Sequence, residues 1–151
     1  QGDTTFYANY TFTNANLDGD STSTDTESIF AYGLDGANVP YIPEHVLSFG
    51  IDYDYKKFDF GINVTYHSES YGTASETETE ISGTTPDARA GRIDSAALVN
   101  LRAGYQVNDS YKFVVGVNNV TDLEYISSRH PAGARAGKPL TAWIKAVATF
   151  N

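Results

Sequence analysis

From His45 to Tyr66 apolar and polar residues take turns. On the first arm His45, Leu47, Phe49, Ile51, Tyr53 and Tyr55 alternate with Ser48, Gly50, Asp52 and Asp54. Beyond Lys56 and Lys57 the phase moves to even numbers: Phe58, Phe60, Ile62, Val64 and Tyr66 oppose Asp59, Gly61, Asn63, Thr65 and His67. A period of two on either side of a tight charged turn predicts an antiparallel hairpin with one greasy and one wet face. Each arm has about the 9–11 residues that a tilted strand needs to cross a bilayer.

The pattern recurs along the chain. Thr5 to Asn14 sets Phe6, Ala8, Tyr10 and Phe12 against Thr5, Tyr7, Asn9, Thr11 and Thr13. Pro40 and Pro43 mark the start of the second strand, where proline is tolerated. Ala97 to Val107 puts Val99, Leu101, Ala103 and Tyr105 on one face, Asn100, Arg102, Gly104 and Gln106 on the other. A turn at Asn108-Asp109-Ser110 leads into a fifth strand, Tyr111 to Val120, in which Val114 and Val120 fall on the wet face. Pro139 opens a sixth strand with Leu140, Ala142, Ile144, Ala146, Ala148 and Phe150 on the greasy side. Thr141, Trp143, Lys145, Val147 and Thr149 lie opposite.

The connections run long, short, long, short, long. Antiparallel strands place successive connections at opposite ends, so the long ones share one rim and the tight turns the other. Short periplasmic turns with longer extracellular loops are the habit of outer-membrane barrels. The predicted fold is therefore all-β: an antiparallel transmembrane β-barrel segment of about six up-and-down strands. Tyr55, Tyr105, Tyr111 and Phe150 then fall at the level of the inner rim, as an aromatic girdle should. Six strands do not close, because an open edge in lipid leaves backbone groups unpaired at several kcal/mol each. The expectation is that residues 1–151 are one part of a larger barrel, with earlier strands outside this stretch.

Composition narrows the picture. Tyr 11 and Phe 8 against Cys 0 and Met 0 suit strands and remove disulfides and thiolate chemistry. The lack of Met, and of any basic start followed by an apolar run, predicts a processed or partial chain. The net charge of −9 argues against a nucleic-acid partner. Long polar connections hold most of the acid. Ala15 to Asn38 carries Asp18, Asp20, Asp25, Glu27 and Asp35, with a short turn expected around Ile29 to Leu34. The Asp spacing lacks the ligand ladder of a dedicated calcium loop, so no metal site and no cofactor is expected. Ser68 to Asp94 repeats Glu76, Glu78 and Glu80 at every second position, as an extended solvated ribbon or an unstructured acidic loop would.

No catalytic constellation emerges: His45, His67 and His130 lie at different strand ends, without a triad spacing. The wet face carries Arg102, Lys112 and Lys145 with Asp52, Asp54 and Asp59, charges that suit solvated lumen or turn positions and pairing with one another. The third connection, Thr121 to Lys138, is basic. Its Arg129, His130 and Arg135 are the candidate contacts for an anionic ligand, or for lipopolysaccharide phosphate.

The end of the chain adds a resemblance. Gly116-Val117-Asn118-Asn119-Val120-Thr121-Asp122, then Glu124-Tyr125-Ile126, then Gly137-Lys138-Pro139 before a final alternating strand resembles the C-terminal signature of TonB-dependent outer-membrane receptors. Val39-Pro40-Tyr41-Ile42-Pro43-Glu44-His45 and Gly91-Arg92-Ile93-Asp94 look like the ferric-siderophore and ferric-dicitrate branch. The resemblance implies the last six strands of a barrel of about 22 strands whose lumen holds a plug. It implies energy-coupled import of a ferric chelate in the bacterial outer membrane, with the TonB system and lipopolysaccharide as partners and no enzymatic activity. Phe150 fills the position of the family's terminal aromatic, with Asn151 as an addition. The alternatives from the residues alone are a soluble or secreted β-sheet module for ligand binding or assembly, and part of a passive pore.

Overall fold

A computed structural model describes residues 2–25, 27–77, 81–82, 85–86 and 88–150. Six long strands form one antiparallel sheet in chain order. They are β1 (Asp3–Phe12), β2 (His45–Tyr55), β3 (Phe58–His67), β4 (Ala96–Gln106), β5 (Tyr111–Asn118) and β6 (Thr141–Ala148). No described residue is helical. β1 starts and ends two residues earlier than the alternation suggested, and β5 stops at Asn118 because Asn119 turns the chain away. Val120 therefore lies beyond the strand.

The register keeps every predicted face together. Phe49 pairs with Ala8 and Val64, Ile62 with Ile51 and Leu101, and Val115 with Ala103 and Ile144. A one-residue slip anywhere would move a whole strand's apolar set to the other side. Nothing of the described chain covers this apolar face. Ile144 is 74% exposed and Phe6 67%, and Phe113, Val115, Phe58, Phe60 and Leu101 are also exposed. Among the described residues the buried apolar ones are Ala31, Ala74, Ala90, Ile93 and Ala96, four alanines and one isoleucine at the long-loop rim rather than a core between layers. A soluble sandwich would bury such a face against a second sheet, so the sheet is organised as a wall.

One rim carries the turn at Lys56, whose φ is 55°, and the turn after Gln106, closed by Asn108 Oδ1 accepting from the amides of Ser110 and Tyr111 at 3.0 Å each. The opposite rim carries all three long connections. They are built rather than featureless. Ser70–Tyr71 pairs with Arg92–Ile93, Ile81–Ser82 with Thr85–Pro86, and Ile126–Ser128 with Arg135–Ala136. The middle connection thus continues β3 and β4 as a ribbon. Of its repeated glutamates Glu76 is described, whereas Glu78 and Glu80 lie outside the described residues. Turns at 28–33 match the expected bend, with the Ala31 amide donating to the Ser28 carbonyl and Gly33 to Phe30.

Candidate functional site: a charged inner face and an interlocked rim

The polar face of the sheet centres on Arg102. Its Nη1 donates to Asp59 Oδ1 at 2.6 Å and its Nη2 to Asp52 Oδ1 at 2.9 Å. Lys112 Nζ sits 2.7 Å from Asp59 Oδ2. The network spans β2, β3, β4 and β5 and holds Asp59, which is only 6% exposed. Asp59 also stands directly opposite Asp54 in the ladder, an arrangement that repels by itself. Two cations on the far side of Asp59 offset that repulsion. Of the three cations expected on this face, Arg102 and Lys112 are paired, while Lys145 has no ion-pair partner among the described residues.

Glycines make room for these groups. Gly61 lies opposite Arg102, and a Cβ there would fall 2.6 Å from Arg102 Nε and 2.7 Å from Asp52 Oδ1. At Gly116 it would fall 2.3 Å from the Trp143 ring, and at Gly50 2.0 Å from that of Tyr7. This explains why Trp143 tolerates the polar side: its ring lies flat on a bare strand, with Nε1 donating to Asn118 Oδ1 at 3.4 Å. Next to the charged row runs a row of amides, Asn63 opposite Asn100, in a cleft of about 200 Å³ between Tyr7 and Trp143. The sequence reading missed this amide row; the cross-strand register, once fixed, reveals it.

At the tight-turn rim the structure places Tyr55, Tyr105 and Tyr111 on the apolar face and Phe150 just past β6, 86% exposed. Phe58, Phe60 and Phe113 join them on that face. Phe58 meets Tyr105 at 4.9 Å between ring centroids and Phe60 at 6.2 Å.

At the other rim the long connections grip one another. The Tyr41 hydroxyl accepts from the amides of Arg129 (3.2 Å) and His130 (2.7 Å), tying the first connection to the third. Arg129 is 4% exposed, and its guanidinium donates to the carbonyls of Arg92 (3.0 Å) and Ala88 (3.3 Å) in the second. Glu76 Oε1 accepts from the amide and side chain of Asn38 at 2.6 and 2.7 Å, and Arg89 pairs with Glu27. Of the basic trio expected to face a ligand, Arg135 is exposed, but Arg129 is placed differently: its charge is turned inward against backbone carbonyls. His130 is half-buried, with Nε2 enclosed and without a hydrogen-bond partner among the described residues. Asp20, Asp25 and Asp35 accept from loop amides, and no group of three or more potential ligands for a metal occurs among the described residues.

The phrase Asn118 to Asp122 proves to be joinery. Asn119 is buried with φ 50°, a conformation asparagine tolerates better than most residues. Its Nδ2 donates to the carbonyls of Leu123 (2.9 Å) and Lys138 (3.1 Å), while Oδ1 accepts from the Leu123 amide (3.0 Å). Asp122 Oδ1 accepts from the Leu140 amide at 3.1 Å, and the Tyr125 ring covers Gly137. Together they fasten the end of β5 to the start of β6.

An uncovered apolar face, an ion-paired opposite face and loops gathered at one rim define a segment of a transmembrane β-barrel. Residues 2–120 match the family described as TonB dependent receptor-like, beta-barrel, and the chain belongs to that outer-membrane family. Its fold is similar to the ferric citrate transporter FecA in the unliganded form (24% identity, TM-score 0.79, 97% of this chain and 21% of that one). It is also similar to the ferric-catecholate import receptor Fiu from E. coli K12 in its closed form (20% identity, TM-score 0.69, 97% and 19%). The siderophore receptor PiuA from Acinetobacter baumannii gives 18% identity, a TM-score of 0.65, and 95% and 19% coverage. The chain thus spans about a fifth of the length of these structures.

Proposed function

We infer that this chain forms the last six strands of a non-enzymatic outer-membrane receptor that imports a ferric chelate. Transport is driven through TonB, with lipid and lipopolysaccharide against the apolar face and a plug against the polar one. The observation that carries the reading is the two-sidedness of the wall around Arg102. The row through Ile51, Ile62 and Leu101 faces outward with no cover, while Asp52 and Arg102, each one residue along its strand, face inward and are knitted to Asp59 and Lys112. Only a wall between oil and a polar interior uses both faces in this way. The solved structures of similar fold are named as carriers or receptors of ferric citrate, ferric catecholate and siderophore, which points to a ferric chelate as cargo.

Within the basic third connection, Arg135 is the residue proposed to meet an anionic chelate. Arg129 and His130 fix the loop that presents it. The unpaired Lys145, with Arg102 and Lys112, is proposed to bear on plug docking, and Tyr55, Tyr105, Tyr111 and Phe150 to form the inner aromatic girdle. Uptake of radiolabelled ferric citrate and ferric catecholates tests the function. Cells lacking their own receptors for these chelates and expressing the intact protein should accumulate one of them, and inactivation of TonB should abolish that accumulation. TonB-independent uptake would mark a passive pore instead.

A further inference from the structure

We propose that the amide cleft on the inner face is a transit site, where one oxygen-rich arm of the chelate rests on its way down the wall. The site rests on the import reading above and adds to it a contact within the lumen, away from the loops. Three asparagines lie side by side there. Asn63 on β3 pairs with Asn100 on β4. Asn118 on β5 follows Val117, the partner of Leu101, and so stands next to Asn100. Tyr7 bounds the cleft at one end and Trp143 at the other.

The hydrogen bonds already made decide what the cleft offers. Asn100 Oδ1 accepts from the Asn119 amide at 3.0 Å, and Asn118 Oδ1 accepts from Trp143 Nε1 at 3.4 Å. With both oxygens engaged, the free ends are the two Nδ2 groups, and neither has an acceptor among the described residues. Asn63 is spent. Its Nδ2 donates to Ser48 Oγ at 3.3 Å and to the Phe49 carbonyl at 3.4 Å, while Oδ1 accepts from the Thr65 hydroxyl at 3.2 Å. Asp52 also borders the cleft and turns Oδ1 to Arg102.

Unpaired donors select for acceptors. The carboxylate or catecholate oxygens of a ferric chelate are acceptors of this kind. The rings of Tyr7 and Trp143 cover Gly50 and Gly116 and give the chelate's carbon skeleton a surface to pack on. A cleft of about 200 Å³ takes one arm rather than a whole chelate. The charges beside it cancel, since Asp52 and Asp59 are matched by Arg102 and Lys112. Passage needs binding strong enough to enter and weak enough to leave, and neutral amide donors meet both conditions. Toward the long-loop rim the next inward row, Asn9, Ser48 and Thr65, continues the polar lane.

The test compares binding with uptake in cells expressing the intact receptor, with radiolabelled ferric citrate and a ferric catecholate as probes. Asn100→Asp and Asn118→Asp keep the oxygen that each structural bond uses and exchange the donor for an anionic acceptor. Binding of the probe to cells lacking TonB should match wild type in each variant. The maximal TonB-driven rate should fall about tenfold, the scale of one hydrogen bond turned into repulsion. Tyr7→Ala, which breaks no hydrogen bond among the described residues, should lower the same rate and leave binding alone. Heat-modifiable migration confirms that each barrel is folded, and conductance in planar bilayers reads whether the plug is seated. Conductance as low as wild type, with the slower rate, supports the transit site. A rise in conductance would show that the amides hold the plug, and overturns the proposal. An unchanged rate in the folded variants overturns it too, as does a loss of binding equal to the loss of rate. A fault in the import reading itself has a different signature: the wild-type receptor would take up neither probe, and both readings would fall.

Discussion

The carboxylate of Asp59 lies over the bare α-carbon of Gly104, its partner in the β3–β4 register, so closely that a Cβ at 104 would stand 2.1 Å from Asp59 Oδ2. Gly104 is thus the seat on which the charged inner network rests. Gly104→Ala should push Asp59 off Arg102 and Lys112 and destabilise the barrel by about 1–3 kcal/mol, the usual range for forcing extra volume into a packed site. The unfolding midpoint of the intact receptor in detergent checks this. An unchanged midpoint would mean that Asp59 has another resting place.

Arg102 is expected to matter more than its partners suggest individually. Arg102→Met leaves Asp52 without its cation and Asp59, largely out of water, with Lys112 alone. Breaking a buried pair by removing one partner costs about 3–5 kcal/mol, and the half-exposed guanidinium here places the effect at or below the lower end. Adding Asp59→Asn should recover much of the loss, because the two sites share one network. If the double variant is as unstable as the sum of the singles, the network is not a unit.

Asn119 should be hard to replace. Asn119→Ala removes a side chain that holds the carbonyls of Leu123 and Lys138 and the Leu123 amide, in a buried setting. At about 0.5–1.5 kcal/mol per bond the loss is on the order of 2–4 kcal/mol, and it should fall locally. Limited proteolysis is expected to cut within residues 120–140 in the variant and not in the wild type. Cleavage elsewhere, or none, would contradict the joinery.

Tyr41→Phe removes one oxygen and leaves the ring. The amides of Arg129 and His130 then lose their acceptor, and their hydrogen exchange should quicken while amides of β3 and β4 keep their protection. For the ligand-facing role, Arg135→Glu should weaken chelate uptake. Arg129→Gln is expected instead to loosen the loops together, since its donors fasten the second connection to the third.

Much of this architecture was legible in the sequence. Alternation over Leu47 to Tyr55 and Phe58 to Tyr66 fixes both faces, because side-chain direction in a strand is a local property that every second residue reports. The contrast of long and short connections carried the topology in the same way. What local pattern does not record is who meets whom across distance. Arg129 looks like one more cation in a basic loop, and only the meeting of three connections shows it buried against carbonyls. Trp143 reads as a flaw in the polar face until the register places Gly116 beneath it. Asn119 and Asp122 stood out only through resemblance, since their function as fasteners depends on the position of Lys138 and Leu140, some twenty residues on.

The sidedness of the wall can be measured directly, and the absence of cysteine from the sequence makes the experiment clean. Single cysteines at Leu101 and Ile144, and at Asn100 and Lys145, can be labelled with an environment-sensitive fluorophore in the intact receptor reconstituted into vesicles. Labels at 101 and 144 should be quenched by a lipid-borne quencher and spared by an aqueous one, and labels at 100 and 145 should escape the lipid-borne quencher. Labels at 101 and 144 that the lipid-borne quencher cannot reach would show that protein, not lipid, covers the apolar face.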